Sequence, residues 1–342
     1  MQKQLIGILL VLFVLILGAY IVIYDGNTKN STSATSANLV ISEALRNSEV
    51  MSIEIRSANQ TLLKASKLSN ENKWMASQLS ADSAYPLDKT HLAGFVQSLA
   101  DAKLIEAKSK KPENHHRLGL SSVDDEGSSA HLVVVEFESG DVRMLIGNEA
   151  TNQAGQYIRY ADDDQMWLMD KRLSLPEEKY SWLDQSLLGF TAKELISLAR
   201  TDEGKQWSLQ RENLDGEALP TFRLSDFDAE EDELRFETIL EDVVNNMLSL
   251  EYTAVFLLNS FEQSSLSPVA EFELVDTNQQ THNVKLFENE GNLMALFNTV
   301  GEQSYINNWI YELRDYQARE LVKEYEDFLL VEPDDNEVKE QE

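Results

Sequence analysis

The side chains in this chain that could do chemistry are five histidines and a large surplus of carboxylates, with no cysteine among 342 residues. The lack of cysteine removes disulfides, thiol nucleophiles and thiolate metal ligands. His115 and His116 are adjacent, and successive side chains of an extended segment point to opposite faces, so the pair does not converge on one ion. His91, His131 and His282 show neither the His-x-x-x-His nor the His-Glu spacing that holds zinc. The acids cluster at Asp162-Asp163-Asp164 and from Asp226 to Glu233. A calcium loop needs acids at positions 1, 3 and 5, glycine at 6 and glutamate at 12. Asp226, Asp228, Glu230 and Glu237 meet that spacing, but Glu231 stands where the glycine is required and Glu237 opens a helical segment. Both acidic stretches therefore read as solvated turns. No Gly-x-Ser-x-Gly elbow and no glycine-rich phosphate loop is present. With 59 Asp and Glu, a pair of carboxylates suited to glycoside hydrolysis carries no information from sequence alone. Trp74, Trp207, Tyr157 and Trp167 read as cross-strand packing rather than as a ligand platform. No catalytic, cofactor-binding or metal-ligating residue is assigned, and the expectation is a protein that is not an enzyme and carries no cofactor.

The elements around these residues repeat. Leu63 to Lys67, a polar turn and Lys73-Trp74-Met75-Ala76 resemble Ile196 to Arg200, a polar turn and Gln206-Trp207-Ser208-Leu209, at an offset of 133 residues from Trp74 to Trp207. Each reads as a β-hairpin whose second strand opens on tryptophan. A helix follows each hairpin. Leu92, Phe95, Val96 and Leu99 fall at i, i+3, i+4 and i+7 behind Asp88 as N-cap, and Leu240, Val243, Val244 and Met247 repeat the spacing. Strands come next in both halves: His131 to Phe137 with Val142 to Ile146, and Ala270 to Val275 with Asn283 to Phe287. Further hairpins pair Tyr157–Tyr160 with Met166–Met169, and Leu293–Phe297 with Tyr305–Leu313. Matching order, tryptophans and helix faces point to an internal duplication. Ser181 to Phe190 reads as a bridge between the copies. Asp315 to Leu330 reads as a C-terminal helix with Leu321, Tyr325 and Phe328 along one side.

Compartment and charge complete the reading. Leu5 to Tyr24 is twenty residues without a charge, long enough as a helix to span a bilayer core of roughly 30 Å. Lys3 precedes it, and Asp25 and Lys29 follow, which orients the preceding end toward the cytoplasm. The run exceeds the apolar core of a cleaved signal peptide and ends in bulky residues, so it reads as an uncleaved anchor. Gly26 to Ala37 is small and polar and reads as a flexible tether. The formal net charge of −30 argues against a nucleic-acid partner and against adhesion to anionic lipid through a basic surface. The expected fold class is α+β: one N-terminal transmembrane helix, two tandem, duplicated antiparallel-sheet-plus-helix domains and a C-terminal helix. The expected boundaries are anchor 1–24, tether 25–39, first repeat 40–185, second repeat with C-terminal helix 186–330, and a disordered acidic tail 331–342.

Lys73-Trp74, Leu118-Gly119-Leu120, Leu145-Ile146-Gly147, Gln156-Tyr157-Ile158-Arg159-Tyr160 and Trp309-Ile310-Tyr311-Glu312-Leu313 together resemble the bacterial family catalogued as domain of unknown function 4340. The likeness runs over roughly residues 50–325. Where relatives pass from Gly-Leu into a short proline-containing turn, this chain has a longer acidic loop, Ser121 to Ser129. The resemblance implies a single N-terminal membrane helix and an auxiliary role beside ABC-type export systems of the gliding-motility class; it supplies no catalytic residues. The leading expectation is thus a non-catalytic, single-pass protein of the cytoplasmic (inner) membrane. Its domains would face the periplasm or cell exterior, and its partners would be membrane proteins such as an ABC-type permease complex. The alternatives are an extracytoplasmic ligand-binding module for glycan, peptide or calcium, and a carboxylate-dependent envelope hydrolase.

Overall fold

The computed structural model describes residues 39–68, 73–80, 83–151, 154–212, 219–261 and 267–330. The anchor, the tether and the acidic tail expected at 1–24, 25–39 and 331–342 lie outside the described residues, apart from Leu39. Among the described residues no helix is long and apolar enough to cross a membrane. The chain divides into two compact units. One holds residues 39–78 and 86–182, and the other holds Leu79–Tyr85 and the chain from Leu183 onward.

In the first unit a short helix, α1 (Glu43–Arg46), leads into β1 (Val50–Arg56), β2 (Thr61–Lys67), β3 (Trp74–Ala76) and β4 (Tyr85–Pro86), within which the unit boundary falls. Helix α2 (Lys89–Asp101) follows, then β5 (Leu104–Ala107), β6 (His131–Phe137), β7 (Gly140–Glu149), β8 (Gln156–Tyr160) and β9 (Met166–Met169). The sheet order is β4-β3-β2-β1-β6-β7-β8-β9-β5. Alternation decides which face of each strand is buried: Ile53 and Ile55 on β1 lie opposite Val135 and Val133 on β6, and all four are buried. Helix α2 starts where the Asp88 carboxylate accepts the Thr90 N–H at 2.7 Å. It buries Leu92, Phe95 and Leu99, each worth about 1.5–3 kcal/mol as an upper estimate. It stops at Ala102, whose backbone is extended, and the next N–H, that of Lys103, is taken by Asp170 at 2.7 Å.

In the second unit the order along the chain is β10 (Leu195–Arg200), β11 (Trp207–Arg211), β12 (Phe222–Leu224), α3 (Ile239–Leu248), β13 (Tyr252–Leu257), β14 (Pro268–Asp276), β15 (Thr281–Asn289), β16 (Asn292–Asn298), β17 (Trp309–Leu313) and α4 (Asp315–Leu321). The sheet order is β12-β11-β10-β14-β15-β16-β17-β13. Position for position this is the order of the first sheet from β3 to β5. Helix α3 buries Leu240, Val243, Val244 and Met247, the four residues whose spacing marks it in the sequence.

Three expectations are corrected. The α+β class gives way to a mostly β protein: among the described residues, seventeen strands lie in two large antiparallel sheets, against four α-helices, of which only α2 and α3 reach ten residues. The proposed match of Trp74 with Trp207 is one strand out of step. Arg200 pairs with both Trp207 and Phe272, as Ile55 pairs with both Leu63 and Val133, so Trp207 occupies the place of Leu63. The counterpart of Trp74, which lies opposite Lys67, is Phe222, opposite Arg211. The C-terminal helix ends at Leu321. A separate 3-10 turn, Tyr325–Phe328, follows, closed by reciprocal bonds between Glu324 and Asp327.

Trp207 is 4 % exposed, packs edge-on to Phe328, and donates its indole N–H to the Lys323 carbonyl at 2.8 Å. Trp74 is only half-buried. Replacing Trp207 by Ala should therefore cost about 3–5 kcal/mol, while Trp74→Ala should cost about 1 kcal/mol. Urea denaturation of the two variants checks this, and equal shifts in midpoint would contradict the different burial of the rings.

Candidate functional site

His91, His115 and His282 each have a local hydrogen-bond partner. His115 is buried, with Nε2 3.0 Å from the Asp164 carbonyl, while His116 is exposed. His91 Nδ1 is 2.9 Å from the Asp88 carboxylate, and its ring stacks on Trp182. His131 lies on β6, where burial pulls its pKa down. His282 is buried on β15, 3.4 Å from Asp276 and against the Phe190 ring. Among the described residues no group of three His, Asp or Glu side chains is placed to hold a metal ion.

The acidic stretches cap their own backbones. Asp228 accepts the Glu230 N–H at 3.0 Å, and Asp232 accepts the Asp228 N–H at 3.0 Å. Asp163 accepts the Gln165 N–H and pairs with Lys110, and the first of these does most to hold its carboxyl below the usual range. Such side chain–backbone bonds fix turns.

Three of the motifs that carry the family resemblance, Leu118-Gly119-Leu120, Leu145-Ile146-Gly147 and Gln156 to Tyr160, meet one another. A Cβ on Gly147 would lie 2.3 Å from the Leu118 carbonyl oxygen, so only glycine lets the two segments approach. The Gln156 side-chain amide donates from Nε2 to the Gly147 carbonyl at 3.1 Å and accepts the Leu173 N–H at Oε1, also at 3.1 Å. The Arg159 guanidinium, 7 % exposed, donates to the carbonyls of Leu120, Tyr160, Ala161 and Asp163. Leu120, Val123, Ala130, Leu145 and Met166 form the apolar cluster beside it. These residues fasten loops to the sheet.

In the second unit Tyr85, Tyr252, Tyr305, Tyr311 and Trp309 form an aromatic cluster, with the hydroxyls of Tyr85 and Tyr311 3.3 Å apart. Tyr252 donates to the Asp184 carbonyl at 3.0 Å. Burial raises the pKa of all four phenols well above the ordinary value, so they keep their protons and act as packing groups and hydrogen-bond partners rather than as acids or bases.

Open grooves offer more. One of about 470 Å³ lies over β15 and β16, lined by Leu258, Asn283, Lys285, Leu296, Asn298 and Asn307, with Phe297. Asn283 and Asn298 are directly opposed, as are Lys285 and Leu296. Asn307 is held by Thr299 at 2.9 Å, and Lys285 by Glu271 at 3.0 Å. A second groove, of about 330 Å³, lies in the first unit between β1, β3 and α2, bordered by Glu49, Val50, Lys67, Trp74, Lys89, Leu92, Ala93 and Val96. Sequence reading places Trp74 in the core. The groove it borders depends on residues far apart in sequence, and no local spacing announces it.

Arg200 is a charged residue whose side chain is fully buried. It donates to both carboxylate oxygens of Asp202 at 2.7 and 2.8 Å and to the Lys323 carbonyl at 2.8 Å. Burial pushes the Asp202 carboxyl up, but Arg200 and the Glu271 N–H outweigh it, and the net pKa is below the ordinary value. A depressed folded pKa gives stability that is present above the unfolded value of about 3.9 and is lost as pH falls through the folded value. Denaturation midpoints should hold from neutrality to about pH 5 and fall below about pH 4. Asp202→Asn should cost about 3–5 kcal/mol at pH 7, because Arg200 stays buried without its counter-charge, and should flatten the acid limb. An unchanged acid limb in that variant would assign the pH dependence to other carboxylates.

No curated protein and no solved structure matches the chain. A family model does match, over residues 74–265, beginning at the first residue of β3 and ending between β13 and β14, so it takes in parts of both units. That span exceeds half of the chain, and it assigns the protein to the family described as Domain of unknown function (DUF4340).

Proposed function

We propose that this protein is a non-catalytic binding module held at the cytoplasmic membrane, with its sheets outside the cytoplasm, and that it serves as an accessory of an envelope ABC-type transport system. The observation that carries the reading is the groove over β15 and β16. Leucine surface and the opposed amides of Asn283 and Asn298 are recognition chemistry: amides donate and accept without changing charge, and leucine contributes apolar area. Its one charged side chain among the described residues, Lys285, is already paired with Glu271. A rigid antiparallel sheet carrying such a groove can hold a partner surface. The uncharged run from Leu5 to Tyr24 supports the membrane part of the reading, and the net charge of −30 favours partners with exposed cations, whose association weakens with salt.

The test is capture of full-length protein from detergent-solubilised membranes, in parallel with Asn298→Arg, which fills the groove from an exposed position. Recovery of a polytopic ABC-type permease component with the wild type should fall about tenfold in the variant, equivalent to loss of one good polar contact. The membrane fraction should retain the protein after an alkaline wash and lose it when residues 5–24 are deleted. Equal recovery of the permease with both proteins sinks the role of the groove. Loss of cellular function on a conservative change such as Lys285→Arg, with folding and location normal, would mark an active site instead.

A further inference from the structure

The two units share a sheet order, and the interval between β3 and β5 matches the interval between β12 and β13 without a gap. Trp74 and Phe222, Leu92 and Leu240, and Leu104 and Tyr252 are each 148 residues apart. The helices can therefore be compared residue by residue. Leu92, Phe95, Val96 and Leu99 on α2 answer to Leu240, Val243, Val244 and Met247 on α3.

At the contact between strand and helix the units differ in three ways. In the second, Phe222 is 6 % exposed, and the Glu241 carboxylate of α3 accepts the Phe222 N–H at 3.2 Å, so the carboxylate lies where it closes the gap between helix and strand. In the first, the residue in the place of Glu241 is Ala93. Its methyl group reaches no further than the groove wall, and Trp74 stays half-buried. Charge also reverses: Lys89 stands where the second unit has Glu237. Lys89 is exposed and forms no ion pair among the described residues. It also stands at the first turn of α2, where a cation is opposed by the helix dipole. Lys67, on the other side of the groove, is paired with Glu49. A chain of net charge −30 thus carries here a groove with an apolar floor and, at its rim, a cation that forms no ion pair among the described residues.

Deepening the binding-module reading, on which it rests, we propose that the Trp74 groove takes a small monoanionic amphiphile: an apolar chain lying on Trp74, Val50, Leu92 and Val96, with its carboxylate paired to Lys89. The groove volume of about 330 Å³ is that of a small-ligand pocket, with Val50, Trp74, Leu92, Ala93 and Val96 as its apolar lining and Glu49, Lys67 and Lys89 as its charged border. Both edges of β3 are taken, by β2 and β4, so an extended peptide cannot add to the sheet there and recognition falls to side chains.

The test uses full-length protein in one membrane mimetic and a diazirine-bearing octanoate as photoprobe, with labelled peptides mapped by mass spectrometry. Label should fall on the peptides holding Trp74 or Leu92 to Val96. Octanoate should compete about tenfold better than octanol, the margin of one charge-assisted contact. Ala93→Glu, which installs the residue of the second unit, should lower labelling about tenfold, and so should Lys89→Glu, an exposed change that leaves the groove volume intact. Thermal melting confirms that both variants fold. Label elsewhere, equal competition by octanol, or full labelling of both variants overturns the proposal. Protection by an acidic, leucine-containing peptide but not by octanoate also overturns it and assigns the groove to a protein partner. If the label fails while permease capture still depends on Asn298, this ligand is lost and the binding-module reading stands.

Discussion

In each unit the strand that opens the sheet is paired on both sides, once with the next strand in sequence and once with a strand that arrives after the helix. Ile53 lies between Ala65 and Val135, and Leu198 lies between Leu209 and Leu274. Remove the β1–β6 or the β10–β14 pairing and each sheet falls into two meanders, neither with a second neighbour for its inner strand. Such pairing closes a long loop, which costs chain entropy, and its register is fixed by the agreement of the buried faces on both sides. The site grooves, the position of each helix and the equivalence of the two units all follow from that rung. It sets which strand lies beside which.

The same rung explains what could be read from sequence and what could not. The helices were legible because an apolar face at i, i+3, i+4 and i+7 is written locally, and Asp88 caps α2 as its place before the periodic residues implies. Hairpins such as Met166–Met169 with Gln156–Tyr160 were legible for the same reason. Strand β1 was not. Val50 to Arg56 alternates, but its identity as the central strand lies in contacts with β6. With β1 unseen, the hairpin ending at Trp74 was matched to the hairpin ending at Trp207, because strand, polar turn and tryptophan recur in both. Only pairing partners distinguish them, and those place Trp207 beside Arg200 and Trp74 beside Lys67. The unseen short strands β1, β5, β12 and β13 also account for the overestimate of helix in the expected class.

Site residues divide along the same line. The histidines and the acidic runs are set aside from spacing alone; in the structure Asp228, Asp232 and Asp163 accept N–H groups of their own turns, while His91 and His282 meet aspartate side chains. Trp74 and Trp207 received one shared role from sequence, yet one holds the C-terminal segment through Lys323 and the other borders an open groove. Lys89 and Ala93 had no signal at all. A small residue and a surface lysine on a helix are ordinary until the facing strand is known.

Arg200 shows how far one frame tolerates different contents. It stands where the first unit has Ile55, in the middle of a buried face. A guanidinium survives there because Asp202 and two backbone carbonyls satisfy its donors, and the carbonyl of Lys323 ties the C-terminal segment to the sheet in the process. Phe328 then covers Trp207, which stands in the place of Leu63. The second unit has thus used this part of its sheet to bind its own chain, through a buried ion pair, an indole hydrogen bond and an aromatic contact. It has closed the strand–helix gap as well, with Glu241. The first unit keeps the aliphatic pair Ile55 and Leu63 on its sheet and leaves the gap beside Ala93 open. When two copies of one frame differ in this way, the copy that has filled its gap from within is fixed in its packing. The copy that has not still exposes part of Trp74, and apolar surface of that kind gains from being covered by something outside the fold.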